Sequence, residues 1–330
     1  VIETAPAPAP QARRRGGTVL CWLAVAPGVG WAAVRLTGSE RGPLVQAVAF
    51  TPYVAVGSLI ALVLTLALRR RGPALVAAVA ALALVGAVVP RALPSAQPAT
   101  TGPALRLLTA NLLFGGADAR ALVELVRRER VDVLTVQEFT PQAQAALDAA
   151  GLAGLLPHRQ AGAAADSTGS GLYSRHPLTD GGVRRNPGVF HFAQAYATVT
   201  VPGAPPVRVE SAHPCAPFSL QMVDDWFADQ HAQPRATPDG PLRVLAGDFN
   251  ATLDHAPLRA LLRSGYVDAA DAAGGGLAGT WGPYDGDLIP PVTIDHVLVD
   301  RRIAVRAVAV RPVPGSDHRA VLVDLRLPAA

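Results

Sequence analysis

Residues 242–252 read Leu-Arg-Val-Leu-Ala-Gly-Asp-Phe-Asn-Ala-Thr. The run from Leu242 to Ala246 is mostly apolar and strand-like, and it ends on Gly247-Asp248-Phe249-Asn250. A second run, Ser316-Asp317-His318, stands just before the apolar stretch Ala320-Val321-Leu322-Val323. Strand ends are where an α/β scaffold displays chemistry. Two such ends, each with a carboxylate beside a second polar group, point to a site that handles metal and phosphate.

Outward from these runs, the sequence after Ala104 alternates short apolar strands with helices. Strands are predicted at 105–110, 131–136, 171–174, 193–201, 207–212, 242–246, 293–299, 305–310 and 320–325. Helices are predicted at 118–130, with Asp118 as N-cap, and at 141–150, 220–230 and 256–264. That number of strands suits two packed sheets with helices outside, an α/β fold. Polar residues fall at the strand ends: Asn111, Glu138, His213, Asp248 with Asn250, Asp295, and Asp317 with His318. One such residue is usually a turn; six placements in one domain are too many to attribute to turns.

The first third is different. Half the chain is hydrophobic, and the excess lies in three stretches, 17–36, 45–68 and 74–89. The first two have the roughly 20 residues needed to cross a bilayer. The third reads as a span or a buried helix, and its neighbours favour the span. Arg13-Arg14-Arg15 before an apolar run also fits a cleaved signal peptide, but two more apolar stretches follow at once. A multi-pass anchor accounts for all three. Arg13–Arg15 and Arg69–Arg71 flank the spans on one side, whereas the loop between the first two spans carries only Glu40 and Arg41. The positive-inside rule then puts the N-terminus in the cytoplasm and everything after Pro90 outside. The expected layout is a disordered 1–16, an anchor of three transmembrane helices over 17–90, a linker over 91–103 and a catalytic domain over 104–330.

The pI of about 9.6 belongs to the anchor. Residues 1–100 carry a balance of +7 and residues 101–330 one of −3, so the usual link from high pI to nucleic acid fails. All cations are Arg, which reads as codon bias. Cys21 and Cys215, one in a span and one in the outer domain, form no disulfide framework, and Cys215 lacks the pattern of an activated nucleophile.

Asn111 in Thr-Ala-Asn-Leu-Leu, Glu138 in Val-Gln-Glu-Phe, Gly171 to Leu178, His213 in Ser-Ala-His-Pro, Gly247 to Thr252, Thr280-Trp281, Ile294 to Leu298 and Gly315 to Arg319 occur in this order. Together they resemble the endonuclease/exonuclease/phosphatase family, relatives of DNase I and the neutral sphingomyelinases. The resemblance covers residues 104–327 and implies a four-layer α/β sandwich and phosphoester hydrolysis with Mg²⁺, or alternatively Mn²⁺. It implies metal ligation by Glu138, supported by the amide oxygen of Asn111, with Asp317 as a ligand or the holder of a metal-bound water. Asp248 would be the base for water and Asn250 would orient it. His213 and His318 would donate to non-bridging oxygens, and Asp295 would pair with His318 and keep it cationic. Leu113 stands where many nuclease members have an acid, which weakens a DNA-repair assignment.

His296 should face the other side of its strand and pack. Trp281 reads as packing at the site mouth, and Asp224, Asp225 and Asp229 as a solvated helix face. The layout is similar to the membrane-tethered VanJ-like branch of actinobacteria, which implies substrates of the undecaprenyl-pyrophosphate type. The expected activity is therefore an extracytoplasmic, divalent-metal-dependent phosphoester hydrolase. Its partners would be the lipid bilayer and a phosphorylated lipid or envelope substrate. Nucleic acid is disfavoured, and no protein partner follows from the sequence. The alternatives are an extracytoplasmic nuclease and a non-catalytic tethered binding module.

Overall fold

The computed structural model describes residues 10–282 and 288–330. It divides into two compact units, one of Val1–Glu40 with Phe50–Val89, the other of Arg41–Ala49 with Pro90–Ala330. The N-terminal helices are α1 (Pro10–Thr37), α2 (Pro43–Val48), α3 (Thr51–Ala67) and α4 (Arg71–Val88). Residues 1–9 of the segment expected to be disordered lie outside the described residues, and from Pro10 that segment is helical.

In the first unit, α1, α3 and α4 pack on one another through small residues. Ala32, Ala55, Ala61, Ala77 and Ala80 are buried, and a Cβ on Gly28 would meet the Ser58 hydroxyl. Leu20, Leu23, Ile60, Val63, Leu75 and Leu82 face outward and are exposed. Two helical stretches, Gly16–Thr37 and Arg71–Ala92, are long and apolar enough to cross a membrane, and Thr51–Ala67 is shorter. By length and composition, two of the three expected spans are long enough, and the shorter helix is Thr51–Ala67 rather than the third stretch. The stretch 45–68 is not one helix, because Pro43 and Pro52 each sit in the first turn of a helix and divide the run into α2 and α3.

In the second unit, twelve strands form two six-stranded sheets among the described residues. In chain order the elements are β1 (Ala104–Asn111), α5 (Ala119–Arg128), β2 (Val133–Gln137), α6 (Pro141–Ala149), β3 (His158–Gly162), β4 (Ser170–Ser174), β5 (Leu178–Arg185), β6 (Ala193–Val199), β7 (Val207–Ala212), α7 (Val223–His231), β8 (Leu242–Asp248), α8 (Ala256–Arg263), β9 (Tyr266–Asp268), α9 (Ala269–Ala272), β10 (Asp295–Asp300), β11 (Ala304–Pro312) and β12 (Arg319–Arg326). One sheet runs β11-β12-β1-β2-β4-β3 and the other β5-β6-β7-β8-β10-β9. Each has a parallel pair at its centre, β1 with β2 and β7 with β8, among antiparallel neighbours.

The inner faces meet in an aliphatic core that includes Leu107, Val133, Val209, Val244, Val297 and Val323. The outer face of the first sheet is covered by α5 and α6 through Leu122, Val126 and Leu147. The outer face of the second is covered by α7 and α8 through Trp226, Leu258 and Leu261. Helices are anchored by the local chemistry the sequence advertises: the Asp118 carboxylate caps α5 by accepting from Arg120 N and Ala121 N.

The stretch 91–103, expected as a linker, is packed into this unit. The buried Arg91 guanidinium grips the Asp254 carboxylate at 2.8 and 2.5 Å. Gln97 Oε1 accepts from Val305 N, and Gly102 N donates to Leu327 O. Polar residues of the expected linker find their partners in the domain.

Candidate active site

The topology fixes where chemistry can sit. Asn111, Glu138, His213 and Asp248 end, or immediately follow, the four parallel strands β1, β2, β7 and β8. β10 runs antiparallel to β8, so Asp295 at its start lies directly opposite Asp248. β12 runs antiparallel to β1, which brings the preceding Asp317 and His318 to the same end. Carboxyl ends of parallel strands are the usual ligand-binding edge of α/β sheets. Close approach of β7 and β8 explains Gly247, since a Cβ there would run into the carbonyl of Ala212. Buried polar stitches hold the two sheets together beneath the site: Gln137 Nε2 donates to Ser211 Oγ at 2.9 Å and Thr135 Oγ1 to Ala246 O at 3.2 Å.

Asp248 sits at the middle of the cluster and is buried. Its Oδ1 accepts from Asn250 N at 2.8 Å and its Oδ2 from Asn111 Nδ2 at 3.1 Å. Burial pushes its carboxyl up to about 7, with the charge on His318 pulling the other way. His318 Nδ1 lies 2.8 Å from Asp295 Oδ2. Burial opposes charge on this ring, but Asp295 and Asp248 together outweigh it and raise the pKa to about 10. His318 is therefore a cation at neutral pH. Its Nε2 is 3.7 Å from Asp248 Oδ2 and 4.0 Å from Asp317 Oδ1, too far for hydrogen bonds, so that N–H faces the site.

His213 is the opposite case. Burial, reinforced by the charge on His318, lowers its pKa to about 3 and keeps it neutral. Its Nε2 lies 3.9 Å from Asp248 Oδ2, and Phe192 stands edge-on to its ring at 4.7 Å.

Glu138 follows β2 with φ of 53°, a left-handed backbone that a non-glycine residue holds only under constraint. The constraint is its carboxylate, which accepts from Phe114 N at 2.7 Å and from Asn111 Nδ2 at 3.2 Å. Burial raises its pKa, offset by those two donors. Asn250 is also left-handed, with φ of 47°. Its side-chain Nδ2 donates to Pro214 O at 3.0 Å, which ties the loop after β8 to the loop carrying His213.

All eight residues expected from the sequence converge here. Asn111 does so with its amide turned the other way from the expected ligand role. Its Oδ1 accepts from Leu113 N at 2.9 Å, so the amide nitrogen, not the oxygen, faces Glu138 and Asp248. Glu138 and Asp317 remain the hard-oxygen donors suited to a divalent cation. Among the described residues, Asp317 Oδ1 is buried without a hydrogen-bond partner, and its other oxygen accepts from Trp281 Nε1 at 3.0 Å. The Asp317 carboxylate also adds to the cost of ionising Glu138, a repulsion a cation would relieve. Asp248, Asp295 and His318 offer a further group of ligand atoms within 4.8 Å of one another. There the doubly protonated imidazole acts as a donor and has no lone pair to offer a cation, which argues against ligation by His318.

Three supports were not legible as such. Thr280 Oγ1 accepts from both Ile294 N and Asp295 N, fixing the start of β10. Ser316 Oγ donates to Asn111 O and accepts from His318 N, joining two strand ends. Trp281, expected to pack at the site mouth, also donates to Asp317 and so orients it. The Thr-Trp and Gly-Ser-Asp-His patterns were the available signals. Cys215 is no nucleophile, because burial, with Asp229 and Asp225, pushes its thiol up to about 12.

Two mixed sheets whose parallel strands end in acids and imidazoles around one point form a scaffold for hydrolytic acid–base chemistry. The chain belongs to the Endonuclease/Exonuclease/phosphatase family, whose profile matches residues 108–318. Members of this family are generally phosphoester hydrolases. No curated protein matches the chain. Among solved structures, an endonuclease/exonuclease/phosphatase from Beutenbergia cavernae DSM 12333 is 22% identical with a TM-score of 0.53, covering 68% of this chain and 72% of its own. Humanized D. rerio TDP2 carrying 14 mutations is 16% identical with a TM-score of 0.54, covering 67% and 98%. A family protein from Leptotrichia buccalis C-1013-b is 14% identical with a TM-score of 0.50, covering 67% and 99%. At such identities the likeness speaks for the fold.

Proposed function

We propose that this chain is a membrane-anchored, extracytoplasmic phosphoester hydrolase that uses Mg²⁺ or Mn²⁺ and acts on a lipid-linked or cell-envelope phosphate. The observation that carries this reading is the buried cluster around Asp248, with one imidazole held cationic and a second held neutral. A binding module has no need of that division.

Glu138 and Asp317 would hold the cation, which when bound supplies positive charge to polarise the phosphoryl group and the leaving oxygen. Asp248 takes the proton of the attacking water. Its raised pKa makes it an effective base near neutrality, and Asn250 N with Asn111 Nδ2 fixes its orientation. His318 donates from Nε2 to a non-bridging oxygen as charge builds, while Asp295 holds its other nitrogen. His213, neutral, contributes a donor without adding a second cation.

Anchoring is supported by three features. The first unit is packed inside-out, with small residues between helices and large aliphatics exposed, as helices in lipid are. The two arginine triplets, Arg13–Arg15 and Arg69–Arg71, flank one side of the apolar segments, whereas Arg35, Arg41 and Arg91 on the other side stand singly. The third is parity. Arg41–Ala49 and Pro90–Ala330 belong to one compact unit, so they share a side of any membrane. The chain between them must then cross an even number of times. If α4 crosses, α3 crosses too, although its 17 residues sit at the short end of the span range, about 17–25 residues. Our reading is three crossings, the layout of the VanJ-like branch, with the domain put outside by the arginine clusters alone. The −3 balance of residues 101–330 argues against a nucleic-acid substrate.

The test is the full chain in detergent with Mg²⁺ or Mn²⁺, offered an isoprenoid pyrophosphate, sphingomyelin and plasmid DNA. Phosphate release from the lipid pyrophosphate supports the reading. Nicking of DNA without lipid turnover replaces it with a nuclease. No turnover of any substrate, with Asp248→Asn indistinguishable from wild type, replaces it with a binding module.

A further inference from the structure

Asn250 carries a left-handed backbone within the loop that follows the proposed base, and such strain persists only when the surroundings over-determine it. The surroundings here are specific. Phe249 O accepts from Gln230 Nε2 at 2.5 Å, Asn250 O from Trp226 Nε1 at 2.9 Å and Ala251 O from His296 Nε2 at 2.9 Å. Thr252 N donates to His255 Nδ1 at 2.8 Å. Four successive residues are thus each caught through the backbone by a side chain.

One of those supports leads out of the loop to a distant part of the sequence. With His255 Nδ1 accepting from Thr252, the ring's proton lies on Nε2, which donates to Val45 O at 2.8 Å. Val45 itself is fully buried among Trp226, Phe249, Ala251 and Leu258. Trp226 stands edge-on to His255 at 5.2 Å. Gln46 Nε2 donates to Pro217 O at 2.6 Å, on the loop that also carries His213 and receives Asn250 Nδ2 at Pro214. The Arg41 guanidinium lies over the Phe227 ring at 4.8 Å.

We propose that the interhelical segment Arg41–Ala49 is a built-in brace of the catalytic domain, holding the Asp248–Thr252 loop in place through the positioning residues Val45 and His255. The idea rests on the reading of Asp248 and Asn250 as the groups that handle water and phosphate. It assigns to the connection between α1 and α3 a part in setting the geometry of the site. Neither residue touches the reacting atoms; each acts through the loop.

The test uses the full chain in detergent, with Val45→Asp, Val45→Ala, Val45→Ile and His255→Ala, and two readouts. Hydrogen exchange is followed by mass spectrometry, and kcat and KM are measured on a chromogenic phosphodiester with Mn²⁺. Val45→Asp and His255→Ala should speed exchange in the peptide covering 249–255 while peptides of β1 and β2 keep their wild-type rates. They should lower kcat by about 10- to 100-fold with KM within about twofold, the signature of a displaced catalytic group. Val45→Ala should move both readouts in the same direction by less, and Val45→Ile should restore them. Unchanged exchange at 249–255, or a rise spread equally over the domain, overturns the proposal. Local loosening in a protein whose wild type turns over nothing upholds the brace and removes the hydrolase reading instead.

Discussion

Asp295 and His296 are neighbours on β10 and point to opposite faces of its sheet. On the inner face, Asp295 Oδ2 meets His318 Nδ1 at 2.8 Å. On the outer face, His296 Nδ1 meets Asp268 Oδ2 at 2.8 Å. Both pairs are buried, and in both the carboxylates outweigh burial and raise the imidazole's pKa. The second nitrogen separates them. His296 Nε2 is spent on Ala251 O at 2.9 Å, whereas among the described residues His318 Nε2 has no acceptor nearer than the 3.7 Å of Asp248. Neither burial nor an Asp partner makes a histidine a working group. An uncommitted N–H at the meeting point of strand ends does.

The comparison can be broken in several ways. The largest effect should come from Asp248→Asn, which keeps shape and removes the base. The expected loss in kcat is up to about 10⁴-fold, with the melting temperature held or raised because a buried acid is gone. On the outer face, His296→Gln should act on stability instead. Removing one partner of a buried pair costs about 3–5 kcal/mol, read by thermal or denaturant unfolding, while kcat of the folded fraction stays near wild type. Because the His296 pKa is raised, the pair's contribution is complete at acid pH and is lost as pH climbs through the raised value, so this deficit should shrink in alkali. His318→Gln should lower kcat by about 10²–10³-fold with little change in melting temperature. If the two histidine variants exchange these signatures, the distinction between the faces is wrong.

The pH–rate profile sharpens the same point by a smaller effect. Asp248 must lose its proton to act as base and His318 must keep its own. Activity should therefore rise as pH passes about 7 and fall as it passes about 10. Asp295→Asn removes the main support for the imidazolium and should move the alkaline limb down; because the Asp295 charge also raises the Asp248 pKa, the acid limb should move down with it while His318 stays charged.

Much of the domain was readable because central strands are apolar on both faces. β8, β10 and β12 announce themselves by Val-Leu-Ala, Val-Leu-Val and Ala-Val-Leu-Val. The strands that escaped notice are β3, β5 and β9, and all three are sheet edges. β3 reads His-Arg-Gln-Ala-Gly and β5 contains Asp180-Gly181-Gly182 with two arginines, the polar character that keeps an edge from pairing further. The site residues were legible as strand-end polar groups in a recognisable order. The direction of the Asn111 amide was not, because it depends on where Leu113 N points. The place of Arg41–Ala49 in the second unit was invisible for a different reason. Val45 is one apolar residue in an apolar run, and only its burial against Phe249 and Trp226 sets it apart.

The most direct test of the central claim is the initial rate of phosphate release from an isoprenoid pyrophosphate by the full chain, with Mg²⁺, with Mg²⁺ withdrawn by chelator, and in Asp248→Asn. The account predicts turnover in the first case and its loss in the other two. Turnover that survives both the chelator and Asp248→Asn would contradict it.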